Sequence, residues 1–162
     1  MRHRVPLMIA LAVALLESKG FKADHFKVFH PGGKLGAMLR TAADLMHKSA
    51  KLPLVASGTP FIEAVKSMSG KGFGVLGVTS SDGKLAGIVT DGDLRRYPTS
   101  GKTAAAIDDV MNRTPLTAAP AQLVADVLRT MNERKITQIF VVESGSPAGI
   151  IHMHDLLKSG LA

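Results

Sequence analysis

A chain of 162 residues with 46% hydrophobic content is long enough for one compact domain, or for two small units that share a core. The absence of cysteine excludes disulfides, thiolate metal sites and a cysteine nucleophile, and fits a reducing compartment such as the cytoplasm. No Trp and a single Tyr leave little with which to stack single-stranded nucleic acid. The net charge of +7 is concentrated: residues 1–51 hold nine Lys/Arg against three Asp/Glu, and residues 52–162 hold eleven against ten. That excess reads as a solvated N-terminal segment; a polyanion-binding arm is the sharper alternative and ranks last, so no nucleic-acid partner is expected.

In chain order, Arg2 and Arg4 precede the apolar run Val5–Leu16. This has the outline of a signal peptide, but the run is too short to span a membrane and Glu17, Ser18 and Lys19 follow it directly. Leu11, Leu15 and Leu16 share one helical face and Gly20 suits a C-cap, so residues 6–19 are expected to form a core helix. No membrane partner is expected. His30-Pro31-Gly32-Gly33 reads as a turn.

From residue 44 the chain repeats itself. Asp44-Leu45-Met46 recurs as Asp109-Val110-Met111, Ala64–Met68 as Val127–Met131, and Gly87–Leu94 as Gly149–Leu156. Three matches in one order, with slowly drifting spacing, mark a duplicated unit that is too long for a solenoid repeat. Each unit starts with a short extended stretch, at Pro53-Leu54-Val55 and at Pro115-Leu116-Thr117. Amphipathic helices follow, over about Pro60–Ser69 and Gln122–Arg134. Phe61, Ala64, Val65 and Met68 form the apolar stripe of the first, with Thr59 as expected N-cap and Pro60 in the first turn. Two strands come next: Val75–Thr79 and Leu85–Val89 around Ser81-Asp82-Gly83, then Ile139–Val142 and Ala148–Ile151 around Ser144-Gly145-Ser146-Pro147. Short helices starting near Asp91 and near His154 close the units. The expected class is α+β: two β-α-β-β-α units, each too thin to be secure alone, packed sheet to sheet about a pseudo-two-fold axis with two related clefts between them.

These residues resemble the CBS module (cystathionine β-synthase domain), and the pair resembles a Bateman module, over about residues 44–160. Gly87-Ile-Val-Thr-Asp-Gly-Asp-Leu94 carries the likeness most closely. Upstream, Ala10–Phe21, His30–Gly36 and Asp44–His47 are similar to the junction in D-arabinose 5-phosphate isomerases, as are Thr90–Arg96 and His152–Leu157. The resemblance implies that residues 1–40 are the end of a sugar isomerase (SIS) domain and a linker, 41–100 a first CBS module and 104–162 a second. It also implies a parent enzyme that interconverts ribulose 5-phosphate and arabinose 5-phosphate on the route to Kdo and lipopolysaccharide. In such isomerases the residue matching His30 lies at the active site, so His30 is a catalytic candidate only within a complete isomerase. This chain lacks the Ser/Thr-rich phosphosugar loops and is expected to be inactive alone, with the SIS domain as its partner in the parent and a CBS-mediated homodimer as its assembly.

The Thr90-x-x-Asp93 spacing places a hydroxyl and a carboxylate at a strand end and the first turn of a helix. There, free N–H groups and the Thr hydroxyl suit a phosphate, and the Asp suits a ribose diol. Thr90 or Asp91 as N-cap, with Asp93 as a dipole partner, is the plain structural alternative. The second copy has His152-x-x-Asp155, so the two clefts differ chemically. Cations that an anionic ligand would need are Lys51, Arg95, Arg96, Arg113 and Lys135, and Thr137 and Gln138 are candidates to read a base edge. His152 and His154 have no convincing third ligand, so neither a metal nor a cofactor is expected. The resulting expectation is a regulatory CBS pair that senses CMP-Kdo or an adenine nucleotide; a purely structural oligomerisation module is the alternative.

Overall fold

A computed structural model describes residues 39–48, 51–97 and 105–161. The expected helix over residues 6–19 and the turn at His30 lie outside the described residues. The chain runs α1 (Ala42–Leu45), β1 (Leu54–Ala56), α2 (Phe61–Lys71), β2 (Val75–Thr79), β3 (Leu85–Thr90) and α3 (Asp91–Arg96). A 3-10 turn (Ile107–Asp109) leads to β4 (Thr117–Ala118), α4 (Val124–Arg134), β5 (Gln138–Glu143), β6 (Ser146–His152) and α5 (Met153–Leu156), and the chain continues as a short π-helix (Leu157–Leu161). The β-α-β-β-α order read from the repeat is therefore present in both copies.

Each unit carries a three-stranded sheet, in the order β1-β2-β3 and β4-β5-β6. The first pair of strands in each is parallel and the second antiparallel. Val75 pairs with Thr90, and Gln138 with His152, so the two sheets share one register. Each hairpin bulges at the same place, between Val78 and Thr79 and between Val141 and Val142. The second hairpin is tighter than its composition suggests. Ser144 (φ 50°) and Gly145 (φ 87°) make a two-residue turn with both φ values positive, which matches the twist of the strands it joins. The strands therefore extend to Glu143 and Ser146, and Pro147 lies within β6. β6 is an edge strand and Pro147 is beside the bulge, so its missing N–H costs little.

Ala64 and Met68 of the α2 stripe are buried, as the periodicity requires. The N-cap expectation needs correction: Pro60 holds the cap position, and the Thr59 hydroxyl donates to the Ala56 carbonyl instead (2.6 Å).

The cores cross over. Ala42, Leu45 and Met46 pack with Val124, Val127, Met131 and Ile151 of the second unit. Ile107 and Met111 pack with Ala64, Met68, Leu76 and Val89 of the first. Backbone pairs reinforce the exchange. His47 bridges Ile150 in β6, and Asn112 bridges Ile88 in β3. Ile107 is fully buried, which contributes about 1.5–3 kcal/mol to a unit other than its own. A third cluster of Val75, Phe140 and Ile150, flanked by Leu54, Ile88 and Val142, joins the two sheets face to face. Each unit thus completes the other, and the sheet-to-sheet packing leaves a cleft at the end of β3.

Candidate functional site

One cleft, of about 690 Å³, opens between the end of β3 with the start of α3 and two stretches of the second unit, Asn112–Leu116 and Lys135–Gln138. Its apolar wall includes Val75, Ile88, Leu116 and Ile136. Leu116 is 43% exposed there, a large apolar side chain left facing the opening. Gly74 forms part of the floor at φ 66°; a Cβ at that position would come within 2.9 Å of an Asp91 carboxylate oxygen. Glycine therefore lets the strand start approach the helix start. Lys135 is the C-cap of α4 and is left-handed (φ 54°), which turns the chain toward the cleft; Gly72 ends α2 in the same way.

At the helix start, the Thr90 N–H and hydroxyl both donate to Asp93 Oδ2 (2.9 and 2.7 Å). The Asp93 N–H donates back to Thr90 Oγ1 (3.3 Å), and the Asp91 N–H donates to the Gly74 carbonyl (3.1 Å). This corrects the expectation of free N–H groups for a phosphate: Thr90, Asp91 and Asp93 spend theirs within the fold. Arg96 donates to Asp93 Oδ1 (2.7 Å) while remaining 74% exposed. Burial alone would raise the Asp93 pKa, but the hydrogen bonds from Thr90 and the Arg96 charge outweigh it and hold the carboxyl below its usual 3.8.

Of the residues singled out in the sequence, Thr90, Asp93, Arg95, Lys135, Thr137 and Gln138 line this cleft. Three of the candidate cations do not. Lys51 is exposed and away from it, Arg96 is turned to Asp93, and Arg113 donates to the Asp108 carbonyl (3.3 Å). Sequence reading missed Gly74, Asn112, Thr114, Leu116 and Ile136. The signal for the Asn112–Leu116 wall was the repeated Asp-x-Met motif just before it, whose methionine packs on the opposite unit.

His152 and Asp155 belong to the equivalent place in the second unit. His152 caps α5, its Nδ1 accepting from the His154 N–H (3.1 Å), and its ring lies 4.8 Å from that of His154. Asp155 Oδ2 is bonded to His47 Nε2 (2.9 Å), and the His47 ring meets Phe73 edge-on at 5.4 Å. Among the described residues no cluster of three or more His, Asp or Glu is placed to hold a metal ion, and no helix is long and apolar enough to cross a membrane. His30 lies outside the described residues.

Paired three-stranded sheets and crossed cores, with a cleft at the strand ends, define a tandem α+β module. The family model of the CBS domain matches residues 42–100 and 107–161, and the chain belongs to that family. Over 156 residues it is 43% identical to arabinose 5-phosphate isomerase KdsD of Pseudomonas aeruginosa, covering 94% of this chain and 48% of that protein. It is 37% identical over 155 residues to KdsD of Yersinia pestis, covering 94% and 47%. The chain thus spans about half the length of the curated relatives it matches. Among solved structures, it is similar to an uncharacterized conserved protein from Pyrococcus horikoshii, with TM-score 0.67, 31% identity and coverage of 77% and 95%. It also matches CBSX2 in complex with AMP (TM-score 0.66, 24% identity, coverage 75% and 96%). A third match is the CBS domain pair of protein MJ0100 in complex with 5′-methylthioadenosine and S-adenosyl-L-methionine (TM-score 0.64, 25% identity, coverage 74% and 98%).

Proposed function

We propose that this CBS pair binds one nucleotide-type ligand in the cleft between β3–α3 and the Asn112–Leu116 wall, and thereby regulates an arabinose 5-phosphate isomerase of the cytoplasm. The cleft itself is the observation that carries this reading. Its volume of about 690 Å³ falls in the range of roughly 300–1,000 Å³ usual for small-molecule sites. The base would lie against Ile88, Leu116 and Ile136, and the sugar near Asp93. A diol reaching Asp93 would displace Arg96, and an exposed ion pair of that kind is worth at most about 1 kcal/mol. With the Thr90, Asp91 and Asp93 N–H groups spent, the phosphate relies chiefly on Lys135 and Arg95. The lining cations Arg95 and Lys135 are balanced by Asp91 and Asp93, which favours a singly phosphorylated or sugar-linked nucleotide over a triphosphate. The AMP and adenosyl ligands of similar CBS pairs support an adenine nucleotide. The likeness to KdsD supports CMP-Kdo, the pathway's end product, as a feedback ligand.

Calorimetry with AMP, ATP, CMP and CMP-Kdo tests this. Monophosphate or CMP-Kdo binding tighter than ATP is the expected order. Lys135→Gly keeps the left-handed cap and removes the cation; a lost charged hydrogen bond of about 1.5–3 kcal/mol weakens binding roughly tenfold or more. Absence of heat with all four compounds would leave the module a structural one.

A further inference from the structure

The geometry points to a second cleft that is closed from within. The His47 side chain is the resident partner of Asp155, so the chain takes one ligand and not two. This rests on the reading above for the nature of the ligand, but not for the contact itself.

Asn112 exchanges backbone hydrogen bonds with Ile88 (3.0 and 2.8 Å), and Ile88 lies five positions before Asp93. His47 exchanges them with Ile150 (2.9 and 3.0 Å), and Ile150 lies five positions before Asp155. His47 and Asn112 therefore hold one place relative to the two sheets. Their side chains behave differently. Asn112 Oδ1 folds back on its own connecting segment, accepting from the Thr114 N–H (3.0 Å), and leaves the first cleft open. The longer imidazole of His47 crosses to Asp155, 108 residues away in sequence, and sets its edge on Phe73.

The capping chemistry explains why Asp155 is available. In the first unit Thr90 and Asp93 satisfy each other. In the second, His152 takes the His154 N–H, two residues on. Asp155 then has His47 as its partner. Asp93 is paired with a 74% exposed Arg96 that a diol can displace, whereas Asp155 is paired with a His47 ring that is only 31% exposed and set against Phe73. Two differences from the first cleft, His47 in place of Asn112 and His152 in place of Thr90, thus turn a ligand site into an internal clasp. The clasp also ties the segment entering the first unit to the last helix of the second.

Two measurements on the full chain test it. The first is a double-mutant cycle by urea unfolding with His47→Ala, Asp155→Ala and the pair. The clasp requires non-additivity: the double variant unfolds close to the worse single variant. Additive shifts would overturn it, whether or not any nucleotide binds. The second is calorimetric stoichiometry with AMP and CMP-Kdo. The expected result is one ligand per chain in the unmodified protein and two in His47→Asn/His152→Thr, which copies the first cleft. Two ligands in the unmodified chain would overturn the closure. A non-additive cycle with no nucleotide bound to either protein would retain the clasp and dismiss the nucleotide reading.

Discussion

Gly87 is buried in β3 against the segment that crosses from the second unit. A Cβ there would lie 2.7 Å from the Asn112 carbonyl oxygen and 2.8 Å from Met111 Sδ. The sulfur end of methionine can move; the carbonyl is held by its ladder to Ile88 and cannot. Gly87→Ala therefore pushes the two chains apart. Overpacking of a tight site costs about 1–3 kcal/mol, and weakening one or both Ile88–Asn112 bonds adds about 0.5–1.5 kcal/mol each. The expected loss is about 3 kcal/mol, a large share of the roughly 5–15 kcal/mol that holds a domain. With a urea m-value of about 1–3 kcal/mol/M, the unfolding midpoint should fall by roughly 1–3 M. Ligand affinity should fall with it, because Asn112 begins the wall of the cleft. Gly70 is the control: it lies in α2 with nothing within 4 Å of a Cβ, so Gly70→Ala should stabilise by about 0.5–1 kcal/mol. An unchanged midpoint for Gly87→Ala would refute the close-approach argument.

Gly149→Ala meets Met46, whose own Cβ would be 2.7 Å away and is fixed to the backbone; its urea midpoint should fall at least as far as that of Gly87→Ala. Lys135→Gly should raise thermal stability by about 1 kcal/mol, because a left-handed lysine (φ 54°) becomes a glycine, even as ligand affinity drops. Burial, and then the neighbouring His154 charge, hold the His152 imidazole below its usual 6.5, with Asp155 opposing. Unfolding then takes up a proton between the depressed value and 6.5. The stability His152 contributes is full above 6.5 and is lost as pH falls through the folded value. The urea midpoint should decline as pH falls below about 7, and His152→Thr should flatten that decline; an identical slope would remove His152 as its source. Thr90→Val keeps the shape but removes the cap, for a loss of about 0.5–2 kcal/mol in urea unfolding.

Much of the fold was legible because its signals are local. The strand over Leu85–Thr90, the stripe through Ala64 and Met68 and the turn at Ser81-Asp82-Gly83 each rest on signals within a few residues. The site was only half legible. Thr90, Asp93, Lys135 and Thr137 do converge on one cleft, but the sequence offered every nearby cation as an equal candidate. Folding turned Arg96 onto Asp93 and Arg113 onto Asp108. Leu116 looked like ordinary strand residue and became part of the cleft's apolar wall.

By itself, the sequence determined that there are two copies of one unit, the order of elements in each, and the inequality of Thr90 and His152. Only the tertiary structure decided which copy each connecting segment covers. Two repeats with the same apolar pattern are degenerate partners, so periodicity cannot say whether Met46 and Met111 pack on their own unit or on the other. The gaps over Gly149 and Gly87, and the backbone bridges beside them, resolve that choice in favour of exchange. Exchange is also what brings His47 to Asp155, a contact that no local pattern contains.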